Sequence, residues 1–102
     1  MFNITKGASL FCDFILDISE STISITPTLA SEYTIYDNDS NIVLSGILAR
    51  MEDEKGFELR ITSGDMNTLE VGSYVLLVAV LDDSVGYKEY VKKETLIINS
   101  IV

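Results

Sequence analysis

The sequence predicts an all-β fold, a sandwich of about seven short antiparallel strands. Apolar and polar residues alternate over short runs, turn-forming residues separate these runs, and no stretch keeps the apolar period of a helix. With 102 residues, of which 47% are hydrophobic, the chain is long enough to bury one modest core. We therefore expect a single domain over residues 1–102.

Alternating apolar residues mark the strands of the first half. The first strand presents an apolar face that consists of Leu10, Cys12, Phe14, Leu16 and Ile18. A second strand contains Tyr33 and Ile35 and ends at a polar turn over residues 37–41. Residues 42–49 form one or two further strands, with Gly46 as a bend or a bulge.

The second half begins with the most regular alternation in the chain. After a turn at residues 52–56, polar residues alternate with three apolar ones, Phe57, Leu59 and Ile61. This pattern predicts a half-buried strand. A short helical turn is expected over residues 63–68, with Ser63 or Asp65 as its N-cap.

A corner before the longest apolar run refines the fold class. Leu69 is followed by Gly72, which can adopt the positive φ of a tight turn, and then by Tyr74 at the start of a strand. A buried ring at this position can send its hydroxyl group back to the preceding backbone, as in the tyrosine corner of immunoglobulin-like sandwiches. The sequence therefore predicts an immunoglobulin-like antiparallel β-sandwich.

The strand after this corner is apolar on both faces, whereas a sandwich strand needs only one apolar face. Either the chain's own loops cover the second face, or another subunit covers it. A hairpin at residues 82–86 then leads to final strands near 87–91 and 95–101. We expect an interface among seven residues of these strands, namely Val75, Leu77, Leu81, Tyr87, Tyr90, Ile101 and Val102.

Composition disfavours several classes of function. A formal net charge of −9 repels nucleic acid, and no apolar run is long enough for a membrane-spanning helix. The chain has no histidine, which removes Ser-His-Asp and Cys-His nucleophile systems and the usual zinc sites. The single cysteine, Cys12, allows no internal disulfide and is expected to be buried and inert. We expect no enzyme activity, no catalytic residue and no cofactor.

One motif calls for a test of metal binding. Asp37, Asp39 and Asn41 match the start of a calcium loop, where oxygen ligands stand at alternate positions. The pattern then fails, because Ile42 replaces the glycine and Leu48 replaces the closing glutamate. A polar turn is the favoured interpretation, and a weak calcium site is the alternative.

Four segments carry a resemblance to a known group of proteins: Ile4-Thr5-Lys6-Gly7-Ala8-Ser9-Leu10, Gly56-Phe57-Glu58-Leu59-Arg60-Ile61-Thr62, Leu69-x-x-Gly72-x-Tyr74 and Thr95-Leu96-Ile97-Ile98. In this order they resemble short immunoglobulin-like structural proteins of tailed-phage virions, including the N-terminal domain type of upper baseplate proteins. The resemblance spans nearly the whole chain.

The resemblance implies a non-enzymatic virion protein that decorates or cements the capsid exterior. Its expected partners are other virion proteins, above all the major capsid protein, and further copies of itself, with no nucleic acid and no membrane. Its expected location is the virion, assembled in the host cytoplasm, with the capsid surface favoured over the tail. The alternatives are a tail or baseplate adaptor, a receptor-binding module, or a stand-alone bacterial immunoglobulin-like binding domain.

Overall fold

A computed structural model of the protein describes residues 1–15, 28–51 and 56–100. They form strands and one short helix, α1 (Ser63–Met66). The strands are β1 (Phe2–Thr5), β2 (Leu10–Ile15), β3 (Ala30–Tyr36), β4 (Ile42–Ile47), β5 (Ala49–Arg50), β6 (Gly56–Ile61), β7 (Gly72–Asp82) and β8 (Tyr87–Asn99). The all-β sandwich predicted from the sequence is confirmed.

The strands form two sheets that pack face to face. One sheet has five strands in the order β1-β8-β7-β3-β4, and the other has three strands in the order β2-β6-β5. Neighbouring strands are antiparallel except for β1 and β8, which run parallel from the pair Phe2 and Leu96 to the pair Thr5 and Asn99. The five-stranded sheet is therefore mixed rather than purely antiparallel.

The core lies between the two sheets. The five-stranded sheet contributes Ile35, Leu76 and Leu96, each with none of its surface exposed, and the three-stranded sheet contributes Leu59 and Ile61. These residues come from the alternating runs because side chains at every second strand position point to the same face.

Long-range pairing changes the strand limits expected from the sequence. β1 was not predicted as a strand, and its four residues are held by the parallel pairing with β8. The two final strands predicted near 87–91 and 95–101 are instead one continuous strand, because β8 pairs with β7 along its length through one irregularity near Val78. Charged residues in the middle of β8 concealed this continuity.

Two local predictions also need correction. The N-cap of α1 is Thr62, whose hydroxyl group accepts a hydrogen bond from the backbone N–H of Asp65, rather than Ser63 or Asp65. Gly46 is not the bulged residue of β4, because it pairs regularly with Tyr33, and the register shift lies nearer the turn, between Ile35 and Tyr36.

Some predicted features lie outside the described residues. They are Leu16 and Ile18 of the first apolar face, the acidic part of the turn at 52–56, and the candidate interface residues Ile101 and Val102. In the parts of the chain that are described, α1 is a single turn, and no helix is long and apolar enough to cross a membrane.

Candidate binding face

The corner before β7 is built around the tyrosine that the sequence singled out. The Tyr74 hydroxyl donates a hydrogen bond to the backbone carbonyl of Glu70 at 2.7 Å. Leu69 is only 2% exposed, and Gly72 adopts a φ of +155°, a backbone conformation that favours glycine. Burial, with the nearby charge of Glu70, raises the pKa of Tyr74. The corner fixes the point at which β7 enters the sheet.

The register of the five-stranded sheet then separates an inner from an outer face. Ile35 of β3 lies beside Leu76 of β7, and both are fully buried in the core. The next pair along, Tyr36 and Val75, points to the opposite side and is only half-buried. We call this opposite side, turned away from the three-stranded sheet, the outer face.

Three cross-strand rows from β4 to β8 make up most of the outer face. They are Ile42-Tyr36-Val75-Thr95, Ser45-Thr34-Leu77-Lys93 and Ile47-Glu32-Ala79-Tyr90. Apolar and aromatic side chains predominate in the first row and recur in the other two. The outer face is therefore less polar than the solvated side of a typical antiparallel sheet.

The margins of the outer face carry its most exposed apolar groups. Ile47 is 81% exposed and Ile42 is 62% exposed, both on β4, and Tyr90 on β8 is 58% exposed. A single exposed apolar residue needs no explanation, but several on the same sheet face favour an interaction site.

A groove of ≈ 390 Å³ crosses the outer face beside the turn between β3 and β4. It is lined by Tyr36, Asp37, Asn38, Ser40, Val75, Leu77 and Lys93. β7 supplies its apolar residues, the turn supplies polar groups, and Lys93 supplies a cation. Lys93 forms no ion pair with any acidic residue that the structure describes.

The turn beside the groove is held by the carboxylate of Asp37. One carboxylate oxygen accepts the backbone N–H groups of Asp39 and Asn41, each at 2.9 Å, and Ser40 adopts a φ of 64°. The hydrogen bond from Asn41, with that from Asp39, lowers the pKa of Asp37. Backbone donors thus bind one of the two oxygens of the carboxylate that a calcium loop would use as a ligand. No group of three or more His, Cys, Asp or Glu side chains in the described parts of the chain is placed to hold a metal ion.

A charged cluster lies at the other end of the outer face. The Lys88 ammonium group lies 2.7 Å from a carboxylate oxygen of Glu32 and 5.3 Å from the centre of the Tyr90 ring. The hydrogen bond and charge of Glu32 raise the pKa of Lys88. Both side chains remain substantially exposed, so this ion pair orients the surface more than it stabilises the fold.

The structure places some of the candidate interface residues named from the sequence on the outer face and others elsewhere. Val75, Leu77, Leu81 and Tyr90 share the outer face. Tyr87 does not, because it packs against the core from the inner side, where its hydroxyl group donates to the carboxylate of Glu89. This hydrogen bond, with burial and the charge of Glu89, raises the pKa of Tyr87 to about 12.

Sequence reasoning missed the contribution of β4 to the outer face. Ile42 and Ile47 were assigned only to a strand, yet they are the most exposed apolar residues of this surface. A usable signal was present, since the whole strand from Ile42 to Ile47 contains no charged residue. An uncharged strand that ends up at the edge of a sheet is unusual.

Comparison with known proteins finds similarity to solved structures but shows no family. No protein-family model matches the chain, and no curated protein matches it. The chain is similar to CopC from Methylosinus trichosporium OB3b, with 22% identity, coverage of 89% of this chain and 97% of that chain, and a TM-score of 0.49. A likeness at this level transfers no function to this chain.

The predicted identity as a phage virion protein is corrected by this result. A solved structure found to be similar is CopC, not a virion protein, and the family and curated comparisons give the virion assignment no support. The expected capsid-decorating role, the virion partners (the major capsid protein and further copies of this chain) and the virion location are wrong with it. The segments behind the resemblance are elements of the sandwich itself, such as the corner at Tyr74, and many unrelated proteins share such elements.

Proposed function

We propose that this protein is a non-enzymatic immunoglobulin-like binding domain that engages another protein through its outer face. The observation that carries the proposal is the exposure of Ile42, Ile47 and Tyr90 on one sheet face whose centre, at Val75 and Leu77, is also apolar. Exposed apolar side chains on one face of a sheet favour protein–protein contact.

The composition of the outer face supports a protein partner over a small molecule. The groove is a small part of a surface that extends across β4, β3, β7 and β8. Tyr36 and Tyr90 add aromatic side chains to the apolar Val75 and Leu77, while Lys88 and Glu32 lie at one end. Apolar and aromatic groups mixed with a few charged ones are common in protein interfaces.

The chemistry of the described surface supports a binding role without catalysis. The sequence has no histidine to act as a general base. One oxygen of the Asp37 carboxylate in the groove accepts two backbone N–H groups of its own turn. Lys93 is the remaining charged group of the groove, and a single cation is better suited to orienting a partner than to covalent chemistry.

Site-specific photo-crosslinking in cells of the source organism tests this proposal. A benzoylphenylalanine residue is placed at Ile47 on the outer face or at Val85 in the turn after β7, which is 74% exposed and serves as the matched control. We expect position 47, and not position 85, to yield a covalent adduct with another protein, which mass spectrometry identifies.

The identified protein is then purified and its affinity measured directly. Ile47→Lys should weaken binding about tenfold or more, since it places a charge in the contact surface, whereas Val85→Lys should leave the affinity unchanged. Equal effects of the two substitutions, or adducts at both positions alike, would contradict a specific outer-face interface.

A further inference from the structure

β4 differs from the other strands that lie at sheet edges in the described structure. β5 has two residues, β1 has four and is flanked by the N-terminal ammonium group that contacts Glu94, and β2 contains Asp13. β4 has six residues without a charge or a proline, and no described strand pairs with its second edge. Native proteins usually protect such an edge with charges, proline or a short strand.

The register shows which backbone groups of β4 face the open edge. The backbone N–H of Leu48 donates to the carbonyl of Ser31 at 2.9 Å, so this pair is a hydrogen-bonded one. Hydrogen-bonded and non-hydrogen-bonded pairs alternate in an antiparallel ladder. The N–H and C=O groups of Ser45 and Ile47 therefore point away from β3, toward the open edge.

We propose that β4 binds an extended, basic segment of a partner protein by strand addition. This inference rests on the proposed function and specifies how the partner protein binds. The segment extends the five-stranded sheet by hydrogen bonds to Ser45 and Ile47, and its apolar side chains continue the outer face beside the exposed Ile47. The register shift near Tyr36 confines regular pairing to the part of β4 from Leu44 to Ile47.

The charge of the chain favours a basic partner segment at this edge over a second copy of the chain. With a net charge of −9, two copies repel each other at neutral pH. The turn that leads into β4 carries two further carboxylates, those of Asp37 and Asp39. A segment with lysine or arginine beside its apolar residues is attracted by the same field.

The experiment uses the synthetic peptide Lys-Val-Thr-Val-Thr-Val-Lys, blocked at both ends, with the full chain labelled with ¹⁵N. We expect the peptide to shift the amide resonances of Ser45 and Ile47 and to slow their exchange with solvent. Lys-Val-Thr-Pro-Thr-Val-Lys has the same charge but cannot form a regular strand, and we expect it to bind about tenfold more weakly or not at all.

Two further measurements isolate the backbone contact. N-methylation of alternate peptide amides removes donors from one edge of the peptide, and methylation on the pairing edge should abolish the shifts at Ser45 and Ile47. Ser45→Pro removes a donor of β4 that β3 does not use, and it should weaken peptide binding about tenfold, whereas Ser45→Thr keeps the donor and the affinity. The N-methylated peptides need no variant, so the test stands even where Ser45→Pro unfolds the domain.

The outcomes separate this inference from the proposed function. Shifts confined to Val75, Leu77 and Lys93 would overturn strand addition while leaving the outer face as a binding surface. Equal binding of the proline-containing peptide would show attraction by charge alone and would overturn the inference. Sedimentation could reveal a dimer of the unmodified protein that Ser45→Pro abolishes. That result would assign the edge to a second copy of the chain and would also overturn the inference.

Discussion

The two faces of β7 have nearly the same composition but different surroundings. On the inner face, Leu76, Val78 and Val80 are at most 1% exposed in the core. On the outer face, Val75 and Leu77 belong to the same residue types, yet they are only half-buried beside the groove. The inner residues are covered by a second sheet, whereas the outer ones are covered only in part, by Tyr36 and the turn after it.

This difference shows what an apolar run does and does not specify. Burial of apolar surface stabilises a fold wherever it occurs, but a two-layer sandwich can bury only one face of each sheet. The sequence left two explanations for the second apolar face of β7, coverage by loops or coverage by a partner. The structure shows loop coverage that stops short of Ile42 and Ile47. The remaining apolar surface is what we assign to a partner.

The largest expected effect separates the two faces directly. Leu76→Ala removes a fully buried side chain and should lower the free energy of unfolding by about 2–5 kcal/mol. Leu77→Ala, one position along on the outer face, should cost about 1 kcal/mol, since its side chain is only half-buried. Urea unfolding of the two variants measures both values. Equal losses would mean that the outer face is as much a part of the folded core as the inner one.

The next effect tests how tightly the inner face packs at the edge strand. A Cβ atom added at Gly46 would lie 2.8 Å from Cε1 and from Oη of Tyr33, and Tyr33 is only 6% exposed. Gly46→Ala should therefore destabilise the protein by about 1–3 kcal/mol, because the buried ring must move. The adjacent outer-face substitution Ser45→Ala, the control, should change stability by less than about 0.5 kcal/mol in the same thermal or urea unfolding experiment. A neutral Gly46→Ala would show that the ring has room to shift.

A smaller effect concerns the corner that sets the position of β7. Tyr74→Phe removes the hydroxyl group that donates to the carbonyl of Glu70 and should cost about 0.5–1.5 kcal/mol. Tyr36→Phe is the matched control on the outer face, where no described residue hydrogen-bonds the tyrosine hydroxyl, and it should be close to neutral. Urea unfolding again provides the measurement. If the two substitutions lower the free energy of unfolding by similar amounts, the Tyr74 hydrogen bond does not stabilise the fold.

Local signals in the sequence were sufficient for the corner and for most strands. Leu69, Gly72 and Tyr74 lie within six residues of one another, and the alternation of Phe57, Leu59 and Ile61 needs no distant partner to be recognised. The parallel pairing of β1 with β8 joins residues at opposite ends of the chain, so no local pattern reveals it.

The outer face could be predicted only in part for the same reason. The apolar character of Val75 and Leu77 was visible, but which side of β7 the second sheet covers depends on the register with β3. The exposure of Ile42 and Ile47 follows from the position of β4 at the edge of the sheet, which is a property of the topology and not of the strand.

The smallest expected effect concerns the turn that closes one end of the outer face. The pKa of Asp37 is lowered from its ordinary value of 3.8, chiefly by the hydrogen bond from the backbone of Asn41 and also by that from Asp39. A carboxyl group whose pKa is lowered in the folded state stabilises that state at pH values above its pKa in the unfolded chain. This contribution is lost as the pH falls through the pKa of the folded state. The turn should therefore weaken only in acid, and the effect on the whole protein should be slight because Asp37 is exposed at the surface.

A residue-specific titration followed by ¹³C NMR measures the carboxyl group of Asp37 separately from that of Glu94. The separation matters because the N-terminal ammonium group lowers the pKa of Glu94 in the same direction. We expect Asp37 to titrate below its ordinary value, and Asp37→Asn to remove the acid-dependent change at the amides of Asp39 and Asn41. Titration of Asp37 at or above its ordinary value would mean that the turn is open in solution. The groove beside Val75 and Leu77 would then lose its polar wall, and less of the outer face would be covered by the chain itself.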